Sequence, residues 1–122
     1  ISLIYISHKM DEIFEICDYY MQGKAERHSR HLYDIFKIME KVQITDELAA
    51  LISEVRKQRS TLAVCPSAKE NVCVTDILYE IIEKETYKKD YEEITLGLLF
   101  VPETYDTVIQ SIKKIADSGI WN

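Results

Sequence analysis

The residues whose types and spacing could do chemistry sit in one stretch. Lys24, Arg27, His28, Arg30 and His31 form a basic cluster in a chain whose formal net charge is -6. His28 and His31 are three apart, so on a helix they share a face. Two chemistries fit: recognition of an anion or an acidic protein surface, or half of a metal site. A metal needs further ligands. Glu26 and Asp34 are near, but spacing singles out neither, so a solvated helix face is the simpler account and no metal is assigned. A second basic group, Arg56, Lys57 and Arg59, closes a helical run, where positive charge complements the helix dipole. Together these residues are the candidates for binding a partner.

Catalytic groups are not legible. Cys17, Cys65 and Cys73 are an odd number without a framework spacing and read as reduced thiols of the cytosol or nucleus. Cys17 falls on an apolar stripe, as a small core residue does. A Cys nucleophile requires a base, and no Cys–His arrangement follows from spacing. Glu80, Glu83, Glu85, Glu92 and Glu93 read as a solvated face. No acid/base pair, nucleophile elbow or glycine-rich phosphate cradle is present, and the expectation is of no enzyme and no cofactor. Tyrosines are frequent, eight in all. Tyr19, Tyr20, Tyr33, Tyr79 and Tyr87 lie beside apolar stripes, as interface tyrosines do and as the edges of amphipathic helices also do.

The elements that must position these groups are helices. A length of 122 residues with 47% apolar and 30% charged residues fits one folded domain, residues 1–122. Three Gly and two Pro are too few for the turns of a β sandwich. The acidic balance argues against nucleic acid as a partner. No apolar run reaches membrane-spanning length, and no leader with a basic start is visible, so an intracellular chain is expected. The chain opens without Met in an apolar run, which reads as a piece of a longer protein.

Taken in order, residues 1–6 are the most strand-like. Ser7 then looks like an N-cap for a helix over 8–22 with Met10, Ile13, Phe14, Cys17 and Met21 on one stripe, closed by Gly23. A second helix over 29–42 carries Leu32, Ile35, Phe36, Met39 and Val42. Thr45 caps a third with Leu48, Leu51, Ile52 and Val55, which runs on through Leu62 and Val64. Residues 66–71 are a loop or helix start. Residues 75–101 read as two helices, with Ile77, Leu78, Ile81 and Ile82 on one stripe and Tyr91, Ile94, Leu98 and Leu99 on the other. Asp90, three before Glu93, has the spacing of a capping box. After Pro102, a last helix over 104–117 buries Tyr105, Val108, Ile109, Ile112 and Ile115. Gly119 ends it, with Ile120 folding back.

The pattern repeats. Leu32, Tyr33 and Ile35 recur as Leu78, Tyr79 and Ile81, and Glu47, Leu48 and Ile52 as Glu93, Ile94 and Leu98, with an equal turn between the helices. Ser2 onward aligns with Gly97 onward, so that Ile13, Phe14 and Cys17 fall on Val108, Ile109 and Ile112. On these residues the chain resembles the armadillo and HEAT helical repeats, loosely over most of its length and best over residues 77–121. The resemblance implies a short right-handed α-solenoid that binds proteins or extended peptides and self-associates through exposed ends. The Asn ladder of peptide-binding armadillo proteins is missing, with Gln58 the nearest candidate. A second, local resemblance lies in YISHKMDEIFEICD, residues 5–18, which is similar to the switch-histidine segment of sugar-importing ABC transporter ATPases. It implies a strand ending at His8, although no phosphate loop accompanies it.

The expected fold is therefore all-α, a short solenoid of helix pairs; the alternative is α/β with strands near 2–6, 61–65 and 94–101. The expected function is non-enzymatic protein binding by a scaffold or adaptor. The alternatives are a small acidic inhibitor or immunity-type protein and a degenerate ABC-ATPase-like domain.

Overall fold

The computed structural model describes residues 3–63, 65–69 and 71–121, with side chains from Met10 onward. Its elements are α1 (Leu3–Met21), α2 (Arg30–Met39), α3 (Asp46–Arg59), a 3-10 turn (Pro66–Ala68) and α4 (Val74–Lys84). Next, Lys88–Asp90, the π-helical Tyr91–Thr95 and Leu96–Leu98 run on as α5, and Tyr105–Ser118 is α6. Among the described residues there is no strand, and the chain is all-α. The α/β alternative is corrected at each place. Residues 3–6 belong to α1, residues 94–98 belong to α5, and residues 61–63 form a turn beyond α3. Residues 2 and 64 lie outside the described ones, as does the side chain of His8, whose backbone is within α1. A β-branched run such as ISLIYI favours a strand only where an edge is available to pair with it; here its described part, residues 3–6, is helical.

α1 is the axis of the core. It packs against α2, α3, α4 and the 3-10 turn, while α6 packs against α2 and α4. Because neighbours surround α1, its buried face is wider than one stripe: Ile16 joins Met10, Ile13, Phe14 and Cys17, all at most 1% exposed. Met21, expected on that stripe, is exposed past the edge of the bundle. The last described residue closes the core. Trp121 is buried, with its ring edge-on to Phe14 at 5.1 Å. The Tyr87 hydroxyl donates to the Ile16 carbonyl of α1 at 2.6 Å.

The helix ends follow their local chemistry. Gly23, at φ 70°, terminates α1. The Lys24 N–H donates to Tyr19 O and the Gly23 N–H to Tyr20 O, the paired bonds of a Schellman cap. The Thr45 hydroxyl accepts from the Leu48 N–H at 3.2 Å and starts α3. The Thr104 hydroxyl does the same for α6, accepting from the Thr107 N–H at 3.3 Å. α3 stops at Arg59, earlier than its pattern suggests, and Leu62 is exposed. The turns after α2 and α4 differ, covering residues 40–45 and 85–87 respectively. This corrects the equal spacing read from the repeat.

α4 closes with the same two bonds as α1, Thr86 N–H to Ile81 O and Glu85 N–H to Ile82 O, but the left-handed position holds Glu85, at φ 50°. A Cβ is strained there, and glycine is not. Its surface pair with Lys88, at 3.2 Å, returns little. Glu85→Gly is therefore expected to raise stability by roughly 0.5–1 kcal/mol. The readout is the urea midpoint, and a midpoint below that of the parent would refute the account.

Candidate functional site

The basic cluster lies on the loop between α1 and α2 and on the first turn of α2. What shapes that loop comes from α5. The Asp90 carboxylate accepts from the Arg27 N–H at 2.9 Å, the Ser29 N–H at 3.2 Å and the Ser29 hydroxyl at 2.5 Å. Ser29 Oγ is also 2.6 Å from Thr95 Oγ1. With the Ser29 proton committed to Asp90, the Thr95 hydroxyl is the donor in that contact. Asp90 and Thr95 are five apart, a spacing that an α-helix would turn away from each other. The π turn at Tyr91–Thr95 brings residues five apart to the same side, so both reach Ser29. Asp90 thus caps the approach to α2 from another helix and makes no cap on its own, contrary to the capping-box reading with Glu93. Arg27 takes the left-handed conformation, φ 69°, within this grip.

The same π turn explains a second departure. Its extra residue rotates the rest of α5, so Tyr91 and Thr95 are buried while Ile94 and Leu98, expected on the inner stripe, face outward at 44% and 80% exposure. Phe100 is wholly exposed and Val101 half exposed. Tyr33 holds this segment by donating from its hydroxyl to the Val101 carbonyl at 3.1 Å. Between α2 and the end of α5 lies a groove of about 370 Å³, bordered by Arg27, Arg30 and Tyr33 on one side and Ile94, Leu98 and Phe100 on the other. Asp34 also lines it, so the groove joins a charged rim of two arginines and one carboxylate to an apolar wall. The run LLFV next to Pro102 was the available signal in the sequence, but a regular helical phase assigns half of it to the core.

The basic residues divide by what engages them. Lys24, Arg27, Arg30 and Lys57 have exposed side chains. His28 lies flat on Tyr19, with ring centroids 3.6 Å apart. Burial and the neighbouring His31 lower its pKa below the ordinary imidazole value, against the opposing pull of Asp90 and Glu15. His31 sits between two carboxylates of α1, Glu12 at 3.8 Å and Glu15 at 3.4 Å. Arg56 is turned inward. Its guanidinium donates to the carbonyls of Lys69 at 2.9 Å, Trp121 at 3.3 Å, Ala68 at 3.4 Å and Val72, tying those four residues to α3. Arg59 pairs with Asp18 at 3.2 Å and Asp11 at 3.6 Å.

α1 therefore carries two acidic rows that the sequence reading passed over. Asp11 and Asp18 face α3, and Glu12 and Glu15 face α2. Asp18 is the most consequential. It is 3% exposed and also accepts from the Ser67 N–H at 2.8 Å, with Ser67 Oγ at 2.5 Å. The helix pattern offered no warning, because i+7 from Asp11 looks like surface unless a partner cation and a capping serine are known.

Burial also pushes up the Cys17 thiol, with the Asp18 carboxylate adding to the effect, which suppresses its thiolate. The Tyr91 and Tyr105 hydroxyls are pushed up to about 12, chiefly by burial. These groups serve the core. No helix among the described residues is long and apolar enough to cross a membrane. No protein-family model, curated protein or solved structure matches this chain.

Proposed function

We propose that this chain is a non-enzymatic, intracellular protein-binding domain, a scaffold or adaptor element. Its working surface is the groove between α2 and the end of α5. The observation that carries the reading is Phe100, wholly exposed at the tip of an outward apolar run with Leu98 and Val101. Large aromatic and aliphatic groups left in water cost free energy that a partner recovers on burial. Arg27 and Arg30 beside them favour a segment that alternates large apolar and acidic side chains, and arginine next to an aromatic is a frequent anchor at interfaces. The likeness to armadillo and HEAT repeats belongs to the same proposal, since such folds work as binding surfaces. The contact of Phe14 with Trp121 favours a closed bundle over an open stack in which repeats touch only their neighbours. We accordingly assign the binding to a local groove and not to a superhelical one.

The test is a displayed-peptide selection run in parallel on the parent chain and on Phe100→Asp. The parent is expected to enrich peptides with paired apolar and acidic positions. Affinity should fall with salt, because part of it is exposed charge. Phe100→Asp is expected to lose at least tenfold in affinity while keeping its helical circular dichroism, since the side chain makes no core contact. Equal enrichment on both chains, or none on the parent, would remove this surface from consideration.

A further inference from the structure

We propose that Glu12 of α1 and His31 and Asp34 of α2 form a site for a divalent transition-metal ion of the zinc type. One ligand atom from each of the three lies within 4.8 Å of the other two. All three residues are partly buried, His31 at 16% and Glu12 at 14% side-chain exposure. His31 and Asp34 are three apart on α2 and so project from the same face, while Glu12 approaches from the helix packed against it.

The orientation of the imidazole is the second observation. His31 Nε2 lies 3.4 Å from Glu15 Oε2, an ion-pair contact that turns one ring nitrogen toward α1. Nδ1 is buried with no hydrogen-bond partner, and the Glu12 oxygen it faces is 3.8 Å away, beyond hydrogen-bond length. A buried ring nitrogen without a partner, set among carboxylate oxygens, is placed to ligate a metal, and a carboxylate beside the other nitrogen can orient the ring from outside.

Tetrahedral ligands bonded at 2.0–2.1 Å stand roughly 3.3 Å apart. The Nδ1–Glu12 separation of 3.8 Å must close by about half an ångström, and a separation at the 4.8 Å limit by about 1.5 Å, through rotamer changes of Glu12 and Asp34. One nitrogen and two carboxylate oxygens, with water completing the shell, suit zinc, cobalt or nickel. Magnesium and calcium, which take all-oxygen shells, suit it less well.

The experiment uses the full chain freed of metal by chelator, titrated with zinc chloride by calorimetry and with cobalt chloride by visible absorption. One ion per chain is expected, with visible d–d absorption but without the near-ultraviolet thiolate charge-transfer band that binding through Cys17, Cys65 or Cys73 would add. His31→Gln and Asp34→Asn should each weaken binding at least tenfold, and Glu15→Gln, which acts only through His31, by about tenfold. Zinc should raise the unfolding temperature of the parent and leave that of His31→Gln unchanged. No heat and no absorption at millimolar metal would overturn the proposal. So would a thiolate band, or undiminished affinity in both His31→Gln and Asp34→Asn. Two independent ligand variants keep the test decisive if one of them folds poorly.

Discussion

Replacing Asp18 by Ala is expected to destabilise the fold by about 3–5 kcal/mol, the cost of leaving a partner charge buried and unpaired. Arg59 would keep only the more exposed Asp11 at 3.6 Å, and its Nε already lacks a hydrogen-bond partner. The buried Ser67 N–H would lose its acceptor as well. For a chain of this size the loss corresponds to a fall in unfolding temperature on the order of 10–20 °C. Urea unfolding followed by circular dichroism at fixed ionic strength measures it. A change under about 1 kcal/mol would show that Asp18 neither holds Arg59 nor fastens the 3-10 turn to α1 through Ser67. The paired variant Asp18→Leu with Arg59→Leu separates the two terms. Because the penalty is mainly that of an orphaned charge, the double variant is expected to be more stable than Asp18→Ala alone. If it loses the sum of both single changes, the two residues are uncoupled and the loss does not come from their pairing.

Trp121→Ala is expected to cost about 3–5 kcal/mol, as large-to-small changes at fully buried aromatic sites do. Trp121 is 1% exposed, and its ring stands T-shaped to that of Phe14 in the central helix, with centroids 5.1 Å apart. Its carbonyl also takes one of the Arg56 donors, so the same residue fastens the C-terminal end through backbone and side chain. As the only tryptophan of the chain it supplies its own probe. Its emission should be blue-shifted in the folded parent and move red in a single transition that coincides with loss of helix. A red-shifted native spectrum, or a Trp121→Ala variant as stable as the parent, would place Trp121 outside the core. Phe14→Leu should then couple with Trp121→Ala non-additively, since the two rings share one contact.

Much of the helix inventory was readable because helix formation is largely local. The apolar period of 3.6 places α2, α3, α4 and α6, and Gly23, Thr45 and Gly119 mark ends through conformations their own side chains allow. α1 was half read. Its central stripe followed the period, but the buried Ile16 and Asp18 did not, since whether a second face is covered depends on how many neighbours a helix has. α5 was misread in phase, because the π turn at Tyr91–Thr95 inserts a residue for the sake of Ser29, more than sixty positions away. No local pattern encodes that requirement.

The candidate site divides along the same line. By itself the sequence determined which charged residues exist, that they gather in a basic run near His28 and His31, and that most of the chain is helical, with an α/β alternative that only the structure removed. Those properties belong to residue type and to interactions within a few positions. Only the tertiary structure decided which charges remain available. It spends Arg56 on carbonyls and Arg59 on Asp18, encloses His31 between acids of α1, and leaves Arg27 and Arg30 free to face an outward Phe100. The physical reason is that a charge is neutralised by whatever comes within a few ångströms in space, and in this bundle those partners come from helices distant in the chain.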